Sequence, residues 1–287
     1  FKKKSPPVKS DNKGTLPTRA LLKRLILIAV PITIGASVFS LTSVIDMAMI
    51  MRRLQSAGFT YERARNLWGS YSGFAIPLFN MPPTLITGIS ISIVPAVAGA
   101  YVLGKKEKAK NSAMSAIRIT TLFALPCAVG ISILSKPILL LLYNNANATN
   151  MLSILGLAIL FVSLVQLTNA VLQATGNVML PVIHMIIGGV LKVIINYYLV
   201  GNSLININGA PIGTCVCYIV VLILNMLSIR KTLDAEFSFS DLVVKPLFSV
   251  ALMAVAVLFA YKCTAGFGNL MSVVLSIGAG GAAYVAM

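Results

Sequence analysis

His184, Gly188, Lys192 and Asn196 follow one another at four-residue spacing inside the mostly apolar run 178–200. As a helix that run is about 35 Å long, enough to cross a bilayer, and residues four apart share one of its faces. The chemistry of such a stripe is electrostatic recognition rather than bond making. A lysine in mid-span costs roughly 2.5–3.5 kcal/mol on insertion scales, so it should face a cavity or another helix. The stripe therefore reads as the wall of an internal pathway. The Lys192 cation suits an anionic substrate such as a pyrophosphate, as a point charge rather than a bidentate clamp. A structural pairing or a snorkelling position is the alternative for Lys192. His184, the only histidine, reads as packing or interface ahead of a proton relay.

Other polar residues interrupt the neighbouring apolar runs. Asp46 ends a hydroxyl-rich segment with Ser37, Ser40, Thr42 and Ser43. It could pair with a cation in the cavity, bind a coupling proton or sodium, or sit at an outer interface near Arg52. Arg118 reads equally as a cavity charge or as a side chain reaching back to head groups. Ser163, Gln166, Asn169 and Gln173 fall within about 120° of a helical wheel and form a second polar stripe. Asn80 and Thr84 flank Pro82 and Pro83; these and Pro95 are candidate hinge positions, or simply satisfy kinked backbone. Arg52 and Arg53 open a basic cluster expected at the outer surface.

Bond-making chemistry has little material here. One histidine and seven acids, spread over loops and spans, do not compose a hydrolase or a metal enzyme, and the chain is not expected to be an enzyme. Cys127, Cys215, Cys217 and Cys263 lie in or at the ends of apolar runs. Cys215-Val216-Cys217 lacks the two-residue gap of a zinc knuckle and has no partner pair, so buried free thiols are expected, with no metal or cofactor.

The elements that must position these residues are long apolar helices. Hydrophobic residues make up 57% of the 287 and charged ones 10%, which excludes an ordinary soluble domain, where charged residues are near ~25%. Eight spans are expected, at about 25–51, 70–103, 113–134, 151–173, 178–200, 210–228, 244–262 and 267–287. The second is too long for a straight crossing, and its four prolines should bend or break it. Residues 1–24 form a basic lead, cytoplasmic by the positive-inside rule. With that orientation fifteen basic residues fall inside and six outside, the arginines of 52–65 being the exception. The net charge of +16 therefore speaks for orientation signals and anionic membrane lipids, not for nucleic acid. The chain begins at Phe1 and stops inside an apolar segment at Met287, and is expected to be a fragment.

Several stretches carry a resemblance. The turn Gln173-Ala174-Thr175-Gly176-Asn177, the following Pro181, the mid-helix glycine and the Asn206–Gly213 stretch resemble the polysaccharide flippase branch of the MOP exporter superfamily. Within it the likeness is to the stage V sporulation protein B group and the related lipid II flippases. It extends through Ser70–Ala100, with Leu78–Pro83 and Val94-Pro95-Ala96 its most specific parts.

The resemblance implies an all-α membrane protein of two six-helix lobes around a cavity, with two helices added in the flippases. This chain would be an inter-lobe linker (1–24), the second lobe (25–230) and the added pair (231–287), with the first lobe missing. It implies export of a lipid-linked saccharide, such as an undecaprenyl-pyrophosphate-linked polysaccharide or peptidoglycan precursor, across the bacterial cytoplasmic membrane. Transport would be by alternating access, driven by an ion gradient or membrane potential, with the ion unspecified. A cavity arginine of the lipid II flippases aligns with Pro77 here, so Lys192 or Arg118 would supply the positive charge, and the added helices would hold the lipid tail. A multidrug and toxic-compound exporter of the same superfamily, or a non-transporting scaffold for envelope or spore-coat assembly, remain the alternatives.

Overall fold

The computed structural model describes residues 44–234, 245–264, 266 and 268–286, together with Leu22, Ile26, Val30 and Thr33. Most of the basic lead, most of the first expected span and the segment 235–244 thus lie outside the described residues. Everything regular that is described is helical. In chain order these are α1 over 44–56, α2 (Tyr61–Ser70), a π-helical turn (Tyr71–Ala75), α3 (Ile76–Val102), α4 (Lys106–Ile133) and α5 (Ser135–Tyr143). Then come α6 (Thr149–Ala174), α7 (Met179–Val200), a 3-10 turn (Asn206–Asn208), α8 (Gly209–Leu233), α9 (Lys245–Thr264) and α10 (Asn269–Val285).

Five helical stretches are long and apolar enough to cross a membrane: Tyr61–Val102, Lys106–Ile133, Thr149–Ala174, Met179–Val200 and Asn206–Leu233. They coincide with the second to sixth expected spans, and the apolar helices Phe248–Thr264 and Asn269–Val285 with the last two. α6 is the centre of the bundle. Its apolar residues point in every direction, as a fully surrounded helix requires, and Leu152, Leu155, Ile159 and Leu167 are buried against neighbours. α3, α4 and α8 pack around it, α7 lies on α8, and α9 and α10 pair with each other while α9 leans on α4.

Two features depart from the expected spans. The outer connection after the first span is largely helix, because Thr60 caps α2 by accepting from the Arg63 amide at 3.4 Å, with Glu62 in the first turn. The long second span does not break. Pro77 has no N–H to offer the carbonyl of Gly73, and the chain there takes one π turn, in which the Ile76 amide donates to Tyr71 O. Pro82, Pro83 and Pro95 then sit within a continuous α3. Hydroxyls donate to carbonyls within about one turn: Ser72 to Trp68 O at 2.8 Å, Ser90 to Ile86 O at 3.1 Å and Ser92 to Gly88 O at 2.9 Å. Backbone that water cannot reach is satisfied internally.

α6 and α4 cross most tightly at Gly156, where an added Cβ would lie 2.8 Å from the Ser132 backbone nitrogen. Small residues let membrane helices approach this closely, and beside the crossing the Ser132 hydroxyl donates to Ser153 O at 2.7 Å. The obstacle is backbone and cannot rotate away. Gly156→Ala should therefore lower stability by about 1–3 kcal/mol through overpacking, read as an earlier unfolding midpoint of the purified chain in detergent. Gly130→Ala, whose added carbon meets nothing within 4 Å, should leave the midpoint close to that of the unaltered chain.

Candidate functional site

Three helices bring charge and amide groups together in the bundle interior. Asp46 on α1 is 6% exposed, and the Lys192 ammonium on α7 donates to its Oδ2. One turn further along α7, the fully buried Asn196 donates from Nδ2 to Asp46 Oδ1 at 3.2 Å. α8 closes the third side at Gly213, where a Cβ would stand 2.0 Å from Asn196 Oδ1. Only glycine leaves room for the amide. Tyr71, turned inward at the π turn, and Thr214 and Cys217 of α8 surround the pair. Isolated charges could not stay ionised in such a place; each carries the desolvation of the other.

A second cluster joins α6, α7 and α8. His184 Nδ1 lies 2.7 Å from Asn225 Oδ1, and Asn225 Nδ2 donates to Thr168 Oγ1 at 2.9 Å and to Asn169 Oδ1 at 2.8 Å. The Thr168 hydroxyl proton is committed to Leu164 O at 2.7 Å. Thr168 must therefore accept from Asn225, which turns the amide oxygen of Asn225 to the imidazole and assigns a proton to His184 Nδ1. His184 Nε2 faces the Ser228 hydroxyl at 3.5 Å.

The four-residue stripe of α7 thus meets α8 along its length. His184 opposes Asn225 and Ser228, Gly188 opposes Cys217 and Val221, and Asn196 opposes Gly213. The residues that read as a pathway wall form a helix contact here, with Lys192 turned to α1. The second stripe divides. Ser163 is buried, Asn169 joins the histidine cluster, Gln166 Oε1 is buried without a partner among the described residues, and Gln173 is exposed. Of the hinge candidates Pro82 and Pro83 are buried, while Asn80 and Pro95 are exposed.

The basic candidates also separate. Arg118 lies exposed on α4 and Arg52 exposed on α1. Arg53 donates from Nε to Tyr197 O at 2.9 Å and stacks 4.0 Å above the Tyr197 ring, next to Gly201. It caps the carbonyl end of α7, where a cation is favoured. Among the described residues no three His, Cys, Asp or Glu side chains are grouped as metal ligands would be. Sequence reasoning missed Asn225 and Tyr71. Asn225 was visible as a lone amide in an apolar run; the inward turn of Tyr71 depends on the π turn, which no spacing reveals.

Long apolar helices closed around a buried ion pair and an amide–imidazole cluster define a multi-pass membrane protein of the transporter class. The fold agrees with a solved structure described as the outward-facing conformation of a multidrug resistance MATE family transporter of the MOP superfamily, with a TM-score of 0.61 and 16% identity over 91% of this chain and 63% of that one. The chain belongs to the lipid II flippase MurJ family, whose model matches residues 15–278. It is 27% identical to the uncharacterised membrane protein YabM of Bacillus subtilis, over 88% of this chain and 46% of that protein. It is 26% identical to the lipid II flippase MurJ of B. subtilis, over 62% and 33%, and 20% identical to stage V sporulation protein B of the same organism, over 76% and 42%. The chain thus spans less than half the length of the curated relatives it matches.

Removing one member of the ion pair strands the other. Asp46→Asn and Lys192→Met should each destabilise the chain by about 3–5 kcal/mol, and the double variant should recover most of that loss. Unfolding titrations of the four proteins in detergent check this. Additive losses would show that the two side chains do not depend on each other.

Proposed function

We propose that this chain is the second lobe and added helix pair of a flippase that moves a polyisoprenoid-pyrophosphate-linked saccharide or peptidoglycan precursor across the bacterial cytoplasmic membrane. The observation that carries the reading is the Asp46–Lys192 pair, a neutralised cation held inside a bundle of the lipid II flippase family. With no substrate present, Asp46 holds the ammonium and offsets its cost in the interior. A pyrophosphate head group entering from a cavity competes with Asp46 for the same ammonium. Binding then releases α1 from α7, which couples substrate to helix movement in an alternating-access cycle.

The basic lead supports an orientation with residues 1–24 cytoplasmic, serving as the linker to a first lobe. Coupling to an ion gradient or to the membrane potential fits the same pair, because protonation of Asp46 would free Lys192 as substrate does. A cation-coupled drug exporter is less well served. Asp46 is the one carboxylate within an apolar span among the described residues, and it is already engaged by Lys192.

Depleting the gene product in its native cells should accumulate a lipid-linked precursor at the inner leaflet, measured by mass spectrometry, with unchanged sensitivity to cationic drugs. Lys192→Ala, supplied at normal membrane level, should fail to clear that precursor. Full clearance by a folded Lys192→Ala protein would remove the lysine from transport. Normal precursors with raised drug sensitivity would favour the exporter.

A further inference from the structure

The seam between α3 and α4 changes character along its length. At the start of α4 it opens into a shallow cavity of about 510 Å³ lined by Lys108, Asn111, Ser112 and Ser115, with Ile93 of α3. Further along the same seam lies an apolar cavity of about 240 Å³ whose wall includes Ile86 and Ile89 of α3 and Phe123 of α4. Ile89 is one helical turn from Ile93, and Phe123 about two turns from Ser115, so polar mouth and apolar bore follow one line. The exposed face of α4 repeats the pattern, with Lys108, Asn111, Ser115 and Arg118 first and then Ile119, Leu122 and Phe123.

Charge at the mouth is uncompensated. Lys106 faces Asp234 at 3.7 Å and Lys110 faces Glu107 at 3.5 Å, whereas Lys108 and Arg118 meet no carboxylate among the described residues. Arg118 stands twelve residues into α4, about 18 Å along the helix, on the face shared with Asn111 and Ser115. An exposed guanidinium at that depth calls for an anion. Serine hydroxyls and the Asn111 amide can donate to phosphate oxygens beside the ammonium. Nothing of α9, which covers α4 further along at Leu125 and Val129, reaches this part of the seam.

We propose that this seam is a binding site for one glycerophospholipid with a net negative head group, its phosphate at Lys108 and its acyl chain running past Phe123. A phospholipid matches both halves, since its charge sits at the membrane surface and its chain descends beside the helices. A soluble anion would use only the mouth. The site is separate from the Asp46–Lys192 pair and does not depend on what the protein transports.

Native mass spectrometry of the purified chain, titrated with phosphatidylglycerol or phosphatidylcholine, tests the assignment. One phosphatidylglycerol should be retained in preference to phosphatidylcholine. Lys108→Gln and Arg118→Gln should each weaken that retention about fivefold, the effect of one basic residue near an anionic lipid. Lys136→Gln, an exposed lysine on α5, should leave retention unchanged. Ser115→Trp, which fills the mouth with all charges kept, should expel the lipid. Equal retention of both lipids, an equal loss with Lys136→Gln, or full retention with Ser115→Trp would each overturn the site.

Discussion

A carboxylate and an ammonium inside a bundle of apolar helices must hold each other, and the arrangement of α1, α7 and α8 follows from that need. Asp46 and Lys192 are far apart in sequence, yet neither tolerates the interior alone. The partnership fixes how α1 lies against α7. It also fixes Asn196, whose amide completes the carboxylate's bonding, and through Asn196 it demands the missing side chain at Gly213. One electrostatic constraint therefore selects an acid, a base, an amide and a glycine on three helices. The histidine cluster obeys the same rule with neutral groups, since the two donors of Asn225 and its acceptor are all used.

The helices were legible in the sequence because hydrocarbon-spanning length and apolar content are local properties. The second to sixth spans needed only small adjustments at their ends. The stripe of α7 was legible too, since residues four apart must share a face. What that face would meet was not. Periodicity shows that His184, Gly188 and Asn196 look one way, but only the fold puts α8 there. Likewise the prolines of the second span announced a disturbed helix without saying how it would be resolved. A π turn before Pro77 and hydroxyls bonded back to carbonyls keep α3 continuous where a break was expected. Asn225 escaped notice because one amide in an apolar run has no period, while Asp46 and Lys192 could be flagged singly but not as a pair.

Membership of the lipid II flippase MurJ family and the likeness of fold to a MATE family transporter give the interior groups their setting. In a soluble protein a buried ion pair is weak evidence for anything beyond specificity. In a membrane transporter the same pair sits where substrate charge must be met, and its strength becomes a quantity that binding has to overcome. The glycine crossing at Gly156 belongs to the other side of that balance. Helices in close backbone contact there, α4 and α6, form a base against which looser contacts can change.

Arg53 adds one more fixed point. Counting along α1, it stands seven residues beyond Asp46, about 10 Å further along the helix, and it holds α7 at Tyr197, five residues beyond Lys192. Two rivets at different depths stop two rods from turning against each other. With the Asp46 rivet undone, the remaining contact at Tyr197 is a fulcrum, and α1 becomes a lever whose free arm lies toward the start of the helix.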